Sequence, residues 1–212
     1  ITQRNQYNNS QKDTESSNKE KELIIHSIKA VEDKAFFNSD SSKITISSSV
    51  KTIGVMSFSK CSYLKEVIFE NQSQLTSIGS GAFSDCPQLT SIVIPSSVTT
   101  ICPYAFFNCK SLEHITIPSS ITSISQNAFS GCEKLTDITI PSSITSIGQN
   151  AFSHCHNLTT IKLPSSVKFL GHSAFCACSK LHTVTLPDTL RSIEHETFRY
   201  CQKLQKITLP QF

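Results

Sequence analysis

Between residues 86 and 210 the apolar and polar positions follow one pattern, written again every 23 residues. Cys86, Cys109, Cys132, Cys155, Cys178 and Cys201 keep that interval, and so do the phenylalanines from Phe83 to Phe198 and the prolines from Pro95 to Pro210. The unit reads Leu-x-x-Ile-x-Ile-Pro-x-Ser-Ile-x-x-Ile-x-x-x-Ala-Phe-x-x-Cys, most cleanly from Leu112 to Cys132. A period of this length belongs to a solenoid, in which each repeat is one coil that buries its apolar side against its neighbours.

Stacking turns each repeated residue into a column. One coil commits Leu112, Ile115, Ile117, Ile121, Ile124, Ala128, Phe129 and Cys132 to the core. Eight of 23 positions nearly exhausts the chain's hydrophobic share of 38%, which leaves little apolar surface for a separate ligand cavity. The alternation Ile115-Thr116-Ile117 has the period of a strand and β-branched residues that favour one. Pro118 closes it, because proline has no N–H to give a ladder. Equivalent strands one coil apart must pair in parallel, about 4.8 Å from each other. Ser125 to Phe129 lacks the alternation, and the expectation there is a turn of α- or 3₁₀-helix on the opposite side. Ser97, Ser120, Ser143 and Ser166 follow proline by two and are candidates to satisfy backbone groups with hydroxyls.

The pattern decays towards the start. Residues 1–22 are polar, with four basic and four acidic side chains that cancel, and are expected to form a disordered leader. Residues 23–212 are expected to be one solenoid of about eight coils. Its first repeat, with Ile28, Val31, Ala35 and Phe36, replaces the cysteine by Ser39 and the proline by Ser47, as a covering coil would. The second runs 25 residues to the next phenylalanine, and its two extra residues fall in Glu70 to Gln74, a bulging loop. The chain stops just after Leu209 with no comparable cover, which predicts self-association through the C-terminal coil unless further sequence follows. It begins with Ile1, consistent with a processed or cut end.

Charge and chemistry narrow the function. A formal net charge of +3 argues for neither nucleic acid nor a membrane surface, and no apolar run reaches the roughly 18 to 20 residues of a span. Seven of the nine cysteines are column residues, expected to be buried free thiols; their side chains point alike, unsuited to disulfides. His172, Cys176, Cys178 and His182 have superficial metal-ligand spacing, but Cys178 belongs to the core column and His182 to the strand, so no metal is assigned. Glycines are scattered, no phosphate loop exists, and no Ser, His and acid set is marked by spacing, so no cofactor is expected and the chain reads as a non-enzyme. Gly54, Gly79, Gly148 and Gly171 share a column with Cys102, Ser125 and Glu194, so a positive φ is not obligatory there.

What varies is the outward side of the strands. Glu113, His114, Thr116, Asp137, Thr139, Lys162, His182 and Thr185 form a polar, hydroxyl-rich, ridged face suited to a protein or a glycan. Threonine and serine also simply suit exposed strands. The aromatic residues Tyr104, Phe107, Phe169 and Tyr200 lie off that line, as anchors for a partner or as covers between coils.

The recurrence in phase of Ile-Pro-x-Ser-Ile, Ile-Gly-x-x-Ala-Phe and Phe-x-x-Cys over residues 28–210 resembles the BspA-like class of the leucine-rich repeat family. The resemblance implies a curved α/β solenoid, with a parallel β-sheet on the concave face and short helical or 3₁₀ turns opposite. It also implies a cell-surface or secreted protein engaged in adhesion or protein binding. A structural array that sticks to copies of itself is the alternative, and an enzyme built on the solenoid the third. One departure from the wider superfamily is the lack of an asparagine column after the strand.

Overall fold

Each 23-residue unit makes one turn of a right-angled path: a front strand, a proline corner, a short back strand, and a tight turn carrying phenylalanine. The computed structural model describes residues 21–208. The expected leader therefore lies almost wholly outside the described residues, and the first front strand, Glu22–Ile25, adds a rung upstream of Ile28.

On the front, Glu22–Ile25, Lys43–Ile46, Glu66–Phe69, Ser91–Val93 and His114–Thr116 pair in parallel and in register, Ser91 beside His114 and Ile92 beside Ile115. A second front sheet joins Thr160–Lys162, Thr183–Thr185 and Lys206–Thr208. The back carries a ladder that the sequence reading did not foresee. Ala30–Val31, Thr52–Ile53, Ser77–Ile78 and Thr100–Ile101 pair in one sheet, and Ser123–Ile124, Ser146–Ile147 and Phe169–Leu170 in another. The strands are only two residues long because the chain must turn again at once to bring phenylalanine inside.

The helical turns expected at Ser125 to Phe129 are absent, and the α/β class is corrected to a parallel β-solenoid: no helix occurs among the described residues. The cause lies in the backbone. The residues two before and two after each phenylalanine are left-handed, as Asn127 (φ 54°) and Gly131 (φ 77°) are around Phe129. Alternating hands cannot propagate a helix. They instead turn alternate peptide groups along the solenoid axis, where each bonds to the next coil. Asn127, Phe129 and Gly131 donate to the carbonyls of Gln149, Ala151 and Ser153 at 2.9, 2.9 and 2.8 Å. The same three bonds recur at every junction from Lys34 to Arg199, at 2.7 to 3.0 Å. A left-handed non-glycine residue costs about 1 to 3 kcal/mol, and its bond in this ladder offsets part of that.

Inside the turn the phenylalanines form one stack. Neighbouring rings from Phe36 to Phe198 lie 5.2 to 5.7 Å apart and within 13° of parallel. The six inner rings are fully buried, and the flanking Leu, Ile, Ala and Cys columns join them in one continuous core. The column cysteines are free thiols, six buried and Cys201, in the last coil among the described residues, half-buried. The hydroxyl expectation holds in part. Ser120, Ser143 and Thr189 donate to the carbonyls of Val98, Ile121 and Val167, whereas the buried hydroxyls of Ser97 and Ser166 have no partner.

Two lapses interrupt this order. On the back no pairing links Thr100–Ile101 to Ser123–Ile124. The lapse falls beside the glycine column, where a Cβ on Gly148 or Gly171 would lie 2.7 or 2.5 Å from backbone of the preceding coil. These glycines are required by space, not by a positive φ. Ser125 has that Cβ, and its hydroxyl rather than its N–H takes the Ile101 carbonyl, at 2.5 Å. Cys102 is accommodated with its N–H still on Ile78, so the effect depends on neighbours. On the front the rung at Asp137 to Ile140 forms no backbone hydrogen bond among the described residues, although its sequence repeats that of His114–Ile117.

Candidate binding face

The front strands place alternate side chains inside and outside, so residues two apart share the outer face. His114, Thr116, Asp137, Thr139, Lys162 and His182 are exposed there, with Glu113 and Thr185 partly covered. His114, Thr116, Asp137, Thr139, Lys162 and Thr185 occupy outward positions in columns one coil apart, whereas Glu113 and His182 each stand one residue before their strand, at its edge. Upstream the columns continue with Glu22, Lys43, Glu66 and Ser91, and with Ile24, Thr45, Ile68 and Val93, which the sequence reading left out or did not single out. Val93 is 71% exposed and Ile24 42%, so this end of the face is partly apolar. The signal was available: the outward positions hold isoleucine or valine there and threonine or lysine further on.

Charges on the upstream part of this face and its flank are matched coil to coil. Lys43 bridges Glu22 at 3.6 Å and Glu66 at 3.9 Å; Lys110 meets Glu133 at 3.1 Å and Lys134 meets Glu113 at 3.5 Å. All are solvated pairs that fix side-chain positions more than they stabilise the fold. The Glu70–Gln74 insertion forms the expected loop, tied down by the Glu70 carboxylate on the Ser48 N–H at 3.1 Å and Gln74 N–H on the Ser48 carbonyl at 3.0 Å. Between it and the strands lies an open hollow of about 450 Å³ lined by Glu66, Ile68, Asn71, Val93 and Pro95. Two more hollows open downstream, about 400 Å³ at Asp137, Thr139 and Lys162 and about 560 Å³ at His182, Lys203 and Gln205.

The core thiols are chemically quiet. Burial pushes the Cys109 and Cys155 thiols up to about 12 and holds Cys132 well above the ordinary range. Such thiols stay protonated and unreactive at neutral pH. The metal-like spacing disperses: Cys178 is buried with its thiol donating to the Phe152 carbonyl at 3.2 Å, and His172 and His182 lie on separate stretches of surface. No group of three or more His, Cys, Asp or Glu among the described residues could hold a metal ion. No described helix is long and apolar enough to cross a membrane. Of the off-line aromatics, Tyr104 meets Phe107 edge-on at 5.7 Å and accepts a hydrogen bond from Gln126, while the Arg199 guanidinium covers Tyr200 at 4.6 Å. Tyr63, 59% exposed, was missed.

A closed core, parallel rungs and a variable polar face define a leucine-rich-repeat-like solenoid, a class that presents surfaces to other molecules. The chain belongs to the BspA type leucine-rich repeat family, whose profile matches residues 15–113 and 100–212 in six copies. Members are in general protein-binding or surface repeat proteins and typically not enzymes. It is similar to a leucine-rich cell surface protein of Faecalibacterium prausnitzii, at 35% identity and a TM-score of 0.69, over 74% of this chain and 42% of that one. It is also similar to a leucine-rich repeat protein of Bacteroides ovatus, at 41% identity and a TM-score of 0.62, over 64% of this chain and 35% of the other. A leucine-rich repeat protein of T. pallidum shares the fold, at 22% identity, a TM-score of 0.52 and coverage of 76% and 77%. The chain spans less than half the length of the first two. No curated protein matches it.

Proposed function

We propose that this chain is a non-enzymatic binding module that engages a protein through its front face, in adhesion at a cell surface. The observation that carries the reading is the contrast between constant core columns and an outward column that varies, from Ser91 to His114, Asp137, Thr160, Thr183 and Lys206. Glu113, His114 and Asp137 form the charged centre of the face, flanked by Thr116 and Thr139, whose hydroxyls both donate and accept. The cell-surface setting is supported by the surface description of the Faecalibacterium relative.

The test is a screen of immobilised extracellular matrix and cell-surface proteins with the folded chain. A specific ligand whose affinity falls at least tenfold in a Glu113→Gln/His114→Ala/Asp137→Asn variant of unchanged stability supports the module. Ligands that bind the variant equally place recognition elsewhere. Self-assembly through the C-terminal coil is the second reading, favoured by the strand Lys206–Thr208, whose outer edge has no partner among the described residues. Light scattering separates the two: concentration-dependent growth that the same variant leaves intact supports assembly.

A further inference from the structure

The balance of charge changes along the solenoid. Over residues 21–137 nine Lys and Arg face ten Asp and Glu, whereas over residues 138–208 seven face three. Upstream, Lys21, Lys43, Lys110 and Lys134 each hold a carboxylate, in most cases from an adjacent coil. Downstream, Lys162, Lys180, Lys203 and Lys206 are exposed and make no ion pair or side-chain hydrogen bond among the described residues. The acids of this stretch, Asp188, Glu194 and Glu196, come after the proline corner, and Glu196 is taken by Arg199; on the front the neighbouring carboxylate is Asp137, at the far side of the hollow it shares with Lys162.

Register gathers the four free ammonium groups. Lys206 pairs across from Thr183, and Lys162 from Thr185, so these two lie on the front, two coils and two residues or roughly 12 Å apart. Lys180 and Lys203 share a column on the adjoining flank, one coil apart, beside the hollow lined by His182, Lys203 and Gln205. Between them stand Thr183 and Thr185, with Thr160 and Thr208 beside Lys162 and Lys206 on the flanking rungs. We propose that this surface binds a sulfated polysaccharide.

The composition selects that partner. Protein interfaces are depleted in lysine and anchored by aromatic or arginine side chains, which this patch lacks. Single-stranded nucleic acid needs aromatic platforms, also lacking. Lysine is a hydrated point charge without the planar fork that matches a carboxylate, so sulfate suits it better. Threonine hydroxyls and glutamine amides complement sugar hydroxyls. The patch shares Lys162, His182 and Thr185 with the front face and rests on that face being open to solution, but not on its binding a protein.

The experiment is binding of the folded chain to immobilised heparin in about 0.1 M salt, beside desulfated heparin, poly-glutamate and duplex DNA. Heparin is expected to bind, desulfated heparin at least tenfold more weakly, and added salt to weaken the complex. Lys162→Gln/Lys180→Gln/Lys203→Gln/Lys206→Gln should lose at least tenfold. A control with the same charge change, Lys21→Gln/Lys43→Gln/Lys110→Gln/Lys134→Gln, should lose less than threefold, with both variants matching the parent in circular dichroism. Equal losses in the two variants would reduce the effect to net charge and overturn the site. Equal binding of poly-glutamate or DNA through the same lysines would overturn the sulfated class. A chain that binds a protein through Glu113 and Asp137 yet ignores heparin would remove this inference alone.

Discussion

The Cys132 thiol donates to the carbonyl of Phe106 in the preceding coil, 3.4 Å away, an oxygen already accepting the Cys109 N–H at 3.3 Å. Every column cysteine from Cys61 to Cys201 donates in this way, at 3.1 to 3.4 Å, and the accepting oxygen also takes a backbone N–H at Phe36, Phe106, Phe129, Phe152 and Phe175. Cysteine thus both fills the core and supplies the second hydrogen bond of a buried carbonyl. Because that oxygen keeps one donor when the thiol is removed, Cys132→Ala should cost only about 1 to 2 kcal/mol by denaturant titration. A cost above about 4 kcal/mol would mean that the column does more than fill and donate.

Phe129 sits between Phe106 and Phe152, at 5.6 and 5.4 Å, fully buried. Phe129→Ala should cost about 3 to 5 kcal/mol, because the rings above and below are held by their own coils and cannot close the gap. A loss under about 1 kcal/mol would show that the stack is not the core.

Thiol labelling without denaturant should modify Cys102, Cys176 and Cys201, the three that are partly exposed, and spare the other six. Rapid modification of Cys109 or Cys155 in the native protein would contradict the buried ladder.

The same burial makes the fold sensitive to alkali. Cys109 and Cys155 stay neutral in the folded state up to about 12, whereas in the unfolded chain they ionise near 9. The unfolded state is therefore favoured progressively above that lower value. This stability should be fully present below about pH 9 and fall as pH rises towards 12, by about 1.4 kcal/mol per pH unit for each such thiol. Denaturation midpoints across pH 7 to 11 read it directly, and a flat profile would contradict it.

Spacing at the glycine column can be tested in both directions. Gly171→Ala should destabilise by about 1 to 3 kcal/mol, since its Cβ meets the Gln149 N at 2.5 Å. Ser125→Gly should let the residue 125 N–H reach the Ile101 carbonyl, slowing its amide exchange. Unchanged exchange would assign the lapse to another cause.

Much of this architecture was legible because it rests on residue identity at a fixed interval. The columns, the front strand at Ile115 to Ile117 and the Glu70–Gln74 loop all follow from apolar periodicity or from a break in it. The turn around Phe129 was not legible. Its left-handed positions are filled by Asn127, Tyr104, Met56 and Lys60, which share no local signal, and they are held by bonds to the next coil that no single repeat contains. The back ladder was missed for a similar reason: Ser146–Ile147 is too short to show an alternation, and its pairing comes from stacking. The unpaired rung at Asp137 reads like its neighbours, and nothing in its residues marks it. On the binding face, alternation revealed which residues point outward, but the pairing of Lys43, Lys110 and Lys134 needed coordinates.

The ladder on the turn side has an electrical consequence. The peptide group joining Ala128 to Phe129 accepts from Phe106 and donates to Ala151, so it lies along the axis with its N–H towards the C-terminal end, and two more in each coil do the same. Three per rise of about 4.8 Å is one aligned peptide per roughly 1.6 Å, close to the 1.5 Å spacing in an α-helix. Dipoles of about 3.5 D aligned at that density add along the stack as they do in a helix. A chain with no helix among its described residues therefore carries a helix-like macrodipole. Among the described residues its positive end lies towards Glu196, Phe198 and Tyr200, in the coil where Lys203 and Lys206 have no ion-pair partner among those residues.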